Sequence, residues 1–339
     1  MGEQLRAIVC GATFGALYAQ ALLREETPYK LAGIIGRGNH QSESLAKKLG
    51  VKRLVQNECI KGTAELACVV VRSGLLGGNG SDIAQYMLSC GMDVIQEHPL
   101  HERELVENIL CARKYGQCYY LNTFYDQLAS VRQTLSEIRK LMALDSLGHV
   151  EITCAYQVAF AALDLLFGLG EPYCKVTDYE SNNKVSPEFT RITGKINSNI
   201  SFGLRIDMTM DANDPDDSTR LLLRIDATAD TGTLILIDTQ GPLLWVPSPR
   251  VPKQDVVEQH LMKQLISLPN KSFSDVVYQD WPTAIAQLIC QVHQQRQSSQ
   301  WLVRAQRHLE VCRLWSTISS QIGLPHNPVR KNVIAHVKD

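Results

Sequence analysis

The sequence predicts an α/β protein in two parts: a doubly wound parallel sheet over residues 1–126, then an α+β domain with a mainly antiparallel sheet over 127–339. Three observations carry this reading. Short uncut apolar runs alternate with helical patterns up to about residue 125. After Leu147 the period changes to alternating runs separated by turn residues. At 339 residues the chain is long enough for two well-formed cores.

Leu5 to Cys10 is the first β-rich run, and a helical pattern follows through Leu23. Leu31–Ile35, Leu66–Val71, Asp93–Gln96 and Gln117–Asn122 are further apolar runs, with helical patterns at Ser42–Leu49, Ser81–Cys90 and Glu102–Tyr115. Strands without polar alternation are covered on both faces, and right-handed crossovers make the doubly wound sheet their natural arrangement. In the second part, Val150–Tyr156 reads as a strand and Val158–Gly168 as an apolar helix. Ile200–Met210, Leu221–Ala229, Thr233–Asp238 and Leu243–Val246 follow as strands, separated by turn residues such as Asp214-Pro215-Asp216-Asp217 and Asp230-Thr231-Gly232. Helical stretches are expected at Val256–Ile266, Pro282–Ser298 and Trp301–Gln321, with the last helices able to pack back on the first domain.

Composition is that of an ordinary globular protein, with 45% apolar and 20% charged residues. A net charge of −1 gives no electrostatic reason to expect nucleic acid or an anionic membrane as partner. No run approaches the roughly 18 apolar residues of a membrane span. The N-terminus enters a strand at once and lacks the layout of a secretory signal, so a cytoplasmic protein is expected. Ten scattered cysteines with no C-x-x-C pair fit free thiols in a reducing compartment better than bridges or a metal site.

Gly11-Ala12-Thr13-Phe14-Gly15 follows the first strand and opens the first helix. Small residues there let backbone N–H groups reach a pyrophosphate at a helix N-terminus, the arrangement of a Rossmann dinucleotide site. The full G-x-G-x-x-G is absent, and a tight turn without ligand would use similar residues. An NAD site usually ends its second strand in an acid that holds the ribose. Here the chain reads Ile35-Gly36-Arg37-Gly38-Asn39-His40-Gln41-Ser42. Arg37 suits a 2′-phosphate, with Ser42 as a further donor, which predicts NADP(H).

Ligands of open α/β sheets lie beyond the carboxyl ends of the strands. Arg72 and Ser73 end the third strand of the repeat and lead into a loop with Gly77, Gly78 and Gly80. Glu97, His98 and His101 follow the fourth, and Thr123 and Tyr125 the fifth. His98 and Tyr125 are the candidate proton donors, Arg72, Ser73 and Glu97 candidate cofactor contacts, and Gly77, Gly78, His101 and Asp164 candidate substrate contacts. Asp164 lies on the apolar helix, where a buried carboxylate needs a partner. Trp245 and Trp281 are read as packing residues.

Glu97-His98-Pro99 and the Leu163-Asp164-Leu165-Leu166 helix resemble the glucose–fructose oxidoreductase/inositol dehydrogenase/MocA family, except that the family's lysine is His98 here. Within it, Val70-Val71-Arg72-Ser73, the glycines of 77–80, Gln96-Glu97-His98-Pro99-Leu100-His101 and Asn122-Thr123-Phe124-Tyr125 resemble the thiazolinyl imine reductases of yersiniabactin- and pyochelin-type siderophore assembly. Asp214–Asp217 and Gly241-Pro242-Leu243-Leu244-Trp245 extend the resemblance into the second domain. It implies reduction of a thiazoline C=N bond with NADPH on a substrate tethered to a nonribosomal peptide synthetase carrier domain. It also implies His98 or Tyr125 as proton source, and a homodimer. A sugar or small-carbonyl dehydrogenase and a non-catalytic NADP-binding sensor are the alternatives.

Overall fold

The computed structural model describes residues 5–36, 40–73, 77–170, 172–182, 188–211, 219–249, 261–267, 270–296, 298 and 300–327. Arg37 and the Asp214–Asp217 turn lie outside the described residues.

The first sheet is built from β1 (Leu5–Cys10), β2 (Tyr29–Ile35), β3 (Lys52–Leu54), β4 (Leu66–Val69), β5 (Asp93–Glu97) and β6 (Tyr119–Asn122). Its order is β3-β2-β1-β4-β5-β6, and every neighbouring pair is parallel. β4 and β6 are buried at every position, so their apolar runs are covered on both faces. The connecting helices are α1 (Gly15–Leu22), α2 (His40–Leu49), α3 (Gly80–Ser89) and α4 (Glu102–Tyr115). The strand order reverses between β1 and β4, which opens a crevice beyond the carboxyl ends of the strands at that point.

After α5 (Ala129–Ala143) the chain enters β7 (Leu147–Ala155) and α6 (Ala159–Phe167), then β8 (Val176–Asn182), β9 (Phe189–Ile196), β10 (Ile200–Asp207), β11 (Leu223–Ala229), β12 (Gly232–Leu236), β13 (Leu243–Pro247) and β14 (Lys263–Ile266). These eight strands form one sheet of order β14-β13-β12-β11-β7-β10-β9-β8. It is antiparallel except where β10 runs parallel to β7. α5 and α6 pack against it. A one-turn α7 (Phe273–Asp275), α8 (Trp281–Gln295) and α9 (Gln300–Ile322) complete the chain. α8 packs on α1, and α9 on α4, α6 and β6, so the end of the chain clamps the first sheet to the second domain.

Five elements differ from expectation. The helix expected at Val256–Ile266 is a strand over Lys263–Ile266, paired with the free edge of β13, and the rest of that stretch lies outside the described residues. α5 occupies a stretch to which no element had been assigned, burying Val131, Leu135 and Ile138 on one face. β8 and β9 were not foreseen, because few of their residues are apolar enough to mark a period. β3 is only three residues long. All ten cysteines are free, eight of them buried. Among the described residues no helix is long and apolar enough to cross a membrane.

Candidate active site

Gly11 has φ of 111°, and a Cβ there would lie 2.3 Å from the carbonyl oxygen of Val70. Its N–H donates to the Ile35 carbonyl at 2.9 Å, so the turn after β1 is tied to the ends of β2 and β4. Glycine is required for that close approach. Phe14 at the N-cap gives α1 no side-chain cap, and the helix carries no acid in its first turn. The positive end of the helix is therefore left to an anion. Ala12 and Thr13 line a cleft of about 290 Å³ together with His40, Gln41, Ser44 and Lys48 of α2. Small loop residues, an uncapped helix end and a cleft lined by cationic and hydroxyl side chains fit a dinucleotide phosphate.

His40, Gln41, Ser44 and Lys48 were not expected at the site, although helical spacing from Gly36 reaches His40, Ser44 and Lys48. Ser42, the residue expected there, is fully buried. Ser42 packs against Gly36, where an added Cβ would meet its side chain at 2.3 Å, so it is no part of the lining of the cleft. Phe14 turns its ring to Tyr18, Phe124 and Trp281, with centroids 6.4, 5.9 and 6.1 Å away. Trp281 thus seats α8 on the first turn, a packing role as expected.

Beyond β4, Ser73 is buried and its hydroxyl donates to the Pro99 carbonyl at 2.8 Å, joining this loop to the one that carries His98. The N–H groups of Gly78 and Gly80 donate to the carbonyls of Ser73 and Arg72 at 2.8 and 2.9 Å. A Cβ on Gly78 would lie 1.9 Å from the Arg72 carbonyl oxygen, so the fold-back of the loop itself dictates that glycine. Gly77 is exposed with no neighbour within 4 Å of an added Cβ, and Arg72 is exposed.

His98 lies at the carboxyl end of β5 with its side chain 9% exposed. Its Nδ1 stands 2.7 Å from Oε1 of Glu97 and 3.0 Å from the Asn122 carbonyl oxygen. Its ring stacks on Phe160 of α6, with centroids 5.5 Å apart. Burial pushes the His98 pKa down, but the hydrogen bond and charge of Glu97, the Asn122 carbonyl and the charge of Asp164 outweigh this and raise it above the usual histidine value. The other oxygen of Glu97 accepts from the hydroxyl of Tyr18, which in turn accepts from Nδ2 of Asn122. Glu97, expected among the cofactor contacts, is thus engaged through both oxygens by protein groups.

Tyr125 is 5% exposed and stacks on Phe124 at 4.7 Å. Burial and the charge of Glu97 hold its phenol far above neutral pH. Asp164 is buried and accepts from the Thr123 hydroxyl at 2.7 Å and from Arg307 Nη2 at 3.1 Å; Arg307 Nε lies 2.9 Å from its other oxygen, and His308 of α9 is 3.4 Å away. These protein partners occupy the carboxylate for which a substrate contact was expected. His101 caps α4, with Nδ1 accepting from the Arg103 N–H at 3.2 Å, and Glu104 closes the capping box. Helix capping therefore accounts for His101. The structure brings His98, Tyr125, Glu97 and Thr123 together and leaves Arg72 and Gly77 at the surface.

An anion-ready helix end at the switch point, with a buried imidazole beyond the adjacent strands, is the arrangement of a Rossmann-type dinucleotide site. Residues 5–123 match the GFO/IDH/MocA oxidoreductase family with its NAD-binding Rossmann fold, and residues 146–246 match the C-terminal domain of the Irp3-like thiazolinyl imine reductases. The first domain is thus similar to the GFO/IDH/MocA oxidoreductases and the second to the Irp3-like C-terminal domains. No curated protein matches it significantly. The fold is similar to that of a dehydrogenase from Chromobacterium violaceum, with a TM-score of 0.70 at 11% identity over 94% of this chain and 95% of that one. It is also similar to myo-inositol 2-dehydrogenase from Lactobacillus plantarum, with a TM-score of 0.67 at 12% identity over 96% and 99%. A third similar structure is scyllo-inositol dehydrogenase from Lactobacillus casei with bound NAD(H) and scyllo-inositol, with a TM-score of 0.64 at 10% identity over 92% and 95%. At these identities the likeness is one of fold.

Proposed function

We propose that the chain reduces the C=N bond of a thiazoline to a thiazolidine with NADPH, on a substrate held as a thioester by a nonribosomal peptide synthetase carrier domain in siderophore assembly. The observation that carries this reading is the thiazolinyl imine reductase match of residues 146–246. A reduced nicotinamide dinucleotide, held by the Gly11 turn and the N-terminus of α1, would supply the hydride for the imine carbon. His98 gives the ring nitrogen its proton and is recharged from solvent. The raised pKa of His98 favours its imidazolium more than in an ordinary histidine, whereas the Tyr125 phenol holds its proton too tightly to be a good acid near neutral pH. Tyr125 then serves as a hydrogen-bond donor that orients the substrate.

Oxidation of NADPH, followed by absorbance, tests the reading with a thiazoline thioester analogue and a panel of sugars. Turnover of the thiazoline alone is expected. Turnover of sugars alone, or binding without turnover, overturns it. The preference for NADPH rests on Arg37 and on the missing acid after β2, and the cleft at Lys48 and His40 is compatible with a 2′-phosphate. Arg37→Ala is expected to raise the KM for NADPH strongly and that for NADH little. Equal losses would make the cofactor NAD.

In the cytoplasm, the expected compartment, the protein would act as a homodimer. One face of the second sheet is covered by α5 and α6, and the other carries the half-exposed His149, Glu151 and Asp226. A sedimenting monomer at micromolar concentration would remove the dimer.

A further inference from the structure

We propose that Glu97, itself fixed by Tyr18 and Asn122, is a positioning residue that holds the His98 imidazole in one tautomer and turns Nε2 towards the substrate. This inference rests on the imine-reductase reading, which makes His98 the acid. Glu97 and His98 are neighbours in the sequence, yet their side chains meet at 2.7 Å across the end of β5. Glu97 Oε1 and the Asn122 carbonyl oxygen both face Nδ1, and both are acceptors. Nδ1 must therefore carry a hydrogen whether the ring is neutral or charged. Proton gain and loss are confined to Nε2, which has no hydrogen-bond partner among the described residues.

Tyr18 makes the arrangement rigid. It lies on α1, fully buried, and its hydroxyl donates to Glu97 while accepting from the Asn122 side chain. The Asn122 side-chain oxygen accepts the Phe124 N–H at 2.8 Å, and its backbone oxygen faces His98. One residue of β6 thus fixes both ends of the Glu97–His98 pair. Burial, together with the charge of Glu97, keeps the Tyr18 phenol protonated, so it remains a donor across the working pH range. Phe160 of α6 closes the ring face and excludes water, which strengthens the charge–charge contact. The charged groups facing His98 are Glu97 from its own strand and Asp164 from α6. Both are anionic, and both favour imidazolium.

The step itself balances simply. The Nε2–H bond breaks as the thiazolidine N–H forms, the ring becomes neutral with hydrogen still on Nδ1, and solvent later returns a proton to Nε2. A carboxylate in contact with an imidazole stabilises the cation and orients the ring, and its loss frees both tautomer and pKa.

The test compares wild type, Glu97→Gln and Tyr18→Phe. In ¹⁵N-histidine-labelled protein without cofactor, long-range ¹H–¹⁵N spectra report the tautomer and titration of His98 independently of turnover. Wild type is expected to show the Nδ1–H form with a midpoint above the ordinary histidine value. Glu97→Gln is expected to show mixed tautomers and a lower midpoint, and Tyr18→Phe the same change in smaller degree. In thiazoline reduction, Glu97→Gln is expected to lose roughly tenfold or more in kcat/KM at pH 8 and to approach wild type as pH falls. An unchanged tautomer and midpoint in Glu97→Gln overturns the inference, as does a rate loss equal at every pH. If Glu97→Gln fails to fold, Tyr18→Phe decides by the same spectra. If wild type does not reduce the thiazoline, the proposed function falls, while the spectra still decide the role of Glu97.

Discussion

Replacing His98 by alanine is expected to lower kcat/KM for thiazoline reduction by on the order of 10²-fold, the contribution of a well-placed general acid. The KM for NADPH should stay close to wild type, because neither the turn at Gly11 nor the cleft beside α2 touches the imidazole. Tyr125→Phe is expected to cost less, since burial holds that phenol well above neutral pH and confines it to hydrogen bonding. Steady-state rates from NADPH absorbance, measured for both variants, separate the two roles. Full activity in His98→Ala would assign the proton to water.

The pH dependence has a defined sign. The His98 pKa is raised in the folded protein, so the imidazolium persists to higher pH than in an ordinary histidine. The wild-type kcat/KM should be flat on the acid side and fall as pH rises through that value. The same raised pKa contributes stability that is complete below the unfolded value, about 6.5, and is lost as pH rises through the folded one. A rate that increases with pH through this window would require neutral His98 as a base.

The first sheet is legible because its central strands are uncut apolar runs, and such runs between helical patterns have one economical arrangement. The second sheet is only half legible. Phe189–Ile196 alternates threonine, arginine and lysine with few apolar residues, and its place as a strand comes from pairing with β10 along its whole length. The run Leu261-Met262-Lys263-Gln264-Leu265-Ile266 suits a helix or a strand equally, and the open edge of β13 decides for the strand. The site follows the same division. His98, Thr123 and Tyr125 are found by locating the ends of strands. Their partners Tyr18 and Arg307 are not: Tyr18 is 79 residues from Glu97, and Arg307 is 143 from Asp164, so only the folded chain relates them. Ser42 is buried and Glu97 is engaged by His98 and Tyr18, and neither is visible from the sequence for one reason. Position along a strand or helix names the neighbourhood of a side chain, but burial decides whether it meets a ligand or the protein.

Asp164→Asn is expected to destabilise the protein by about 3–5 kcal/mol, the cost of leaving a buried charge without its partner. Asp164 is buried at the centre of α6 and accepts from Thr123 and Arg307, while Arg304 and Arg307 also face Asp126 at 3.2 and 3.8 Å. Two carboxylates from the β6 turn and α6 thereby balance two guanidiniums from α9, and the asparagine variant leaves the cations in excess. Burial pushes the Asp164 pKa up, but Arg307, His308 and Arg304 together hold it well below the usual carboxylate value. A depressed carboxylate contributes stability above its unfolded pKa, about 3.9, and loses it as pH falls through the folded value. His308 acts in the same sense: burial lowers its pKa, so folding is penalised as pH drops below about 6.5. Thermal unfolding at neutral pH should show the melting temperature of Asp164→Asn reduced by roughly 10 °C, with the gap to wild type closing in acid. Because Thr123 precedes the Phe124–Tyr125 turn, the variant should also loosen the floor of the site and lower kcat more than it raises the KM for NADPH. An unchanged melting temperature would mean that Arg307 and Thr123 find other partners, and that α9 is held to α6 by its apolar contacts alone.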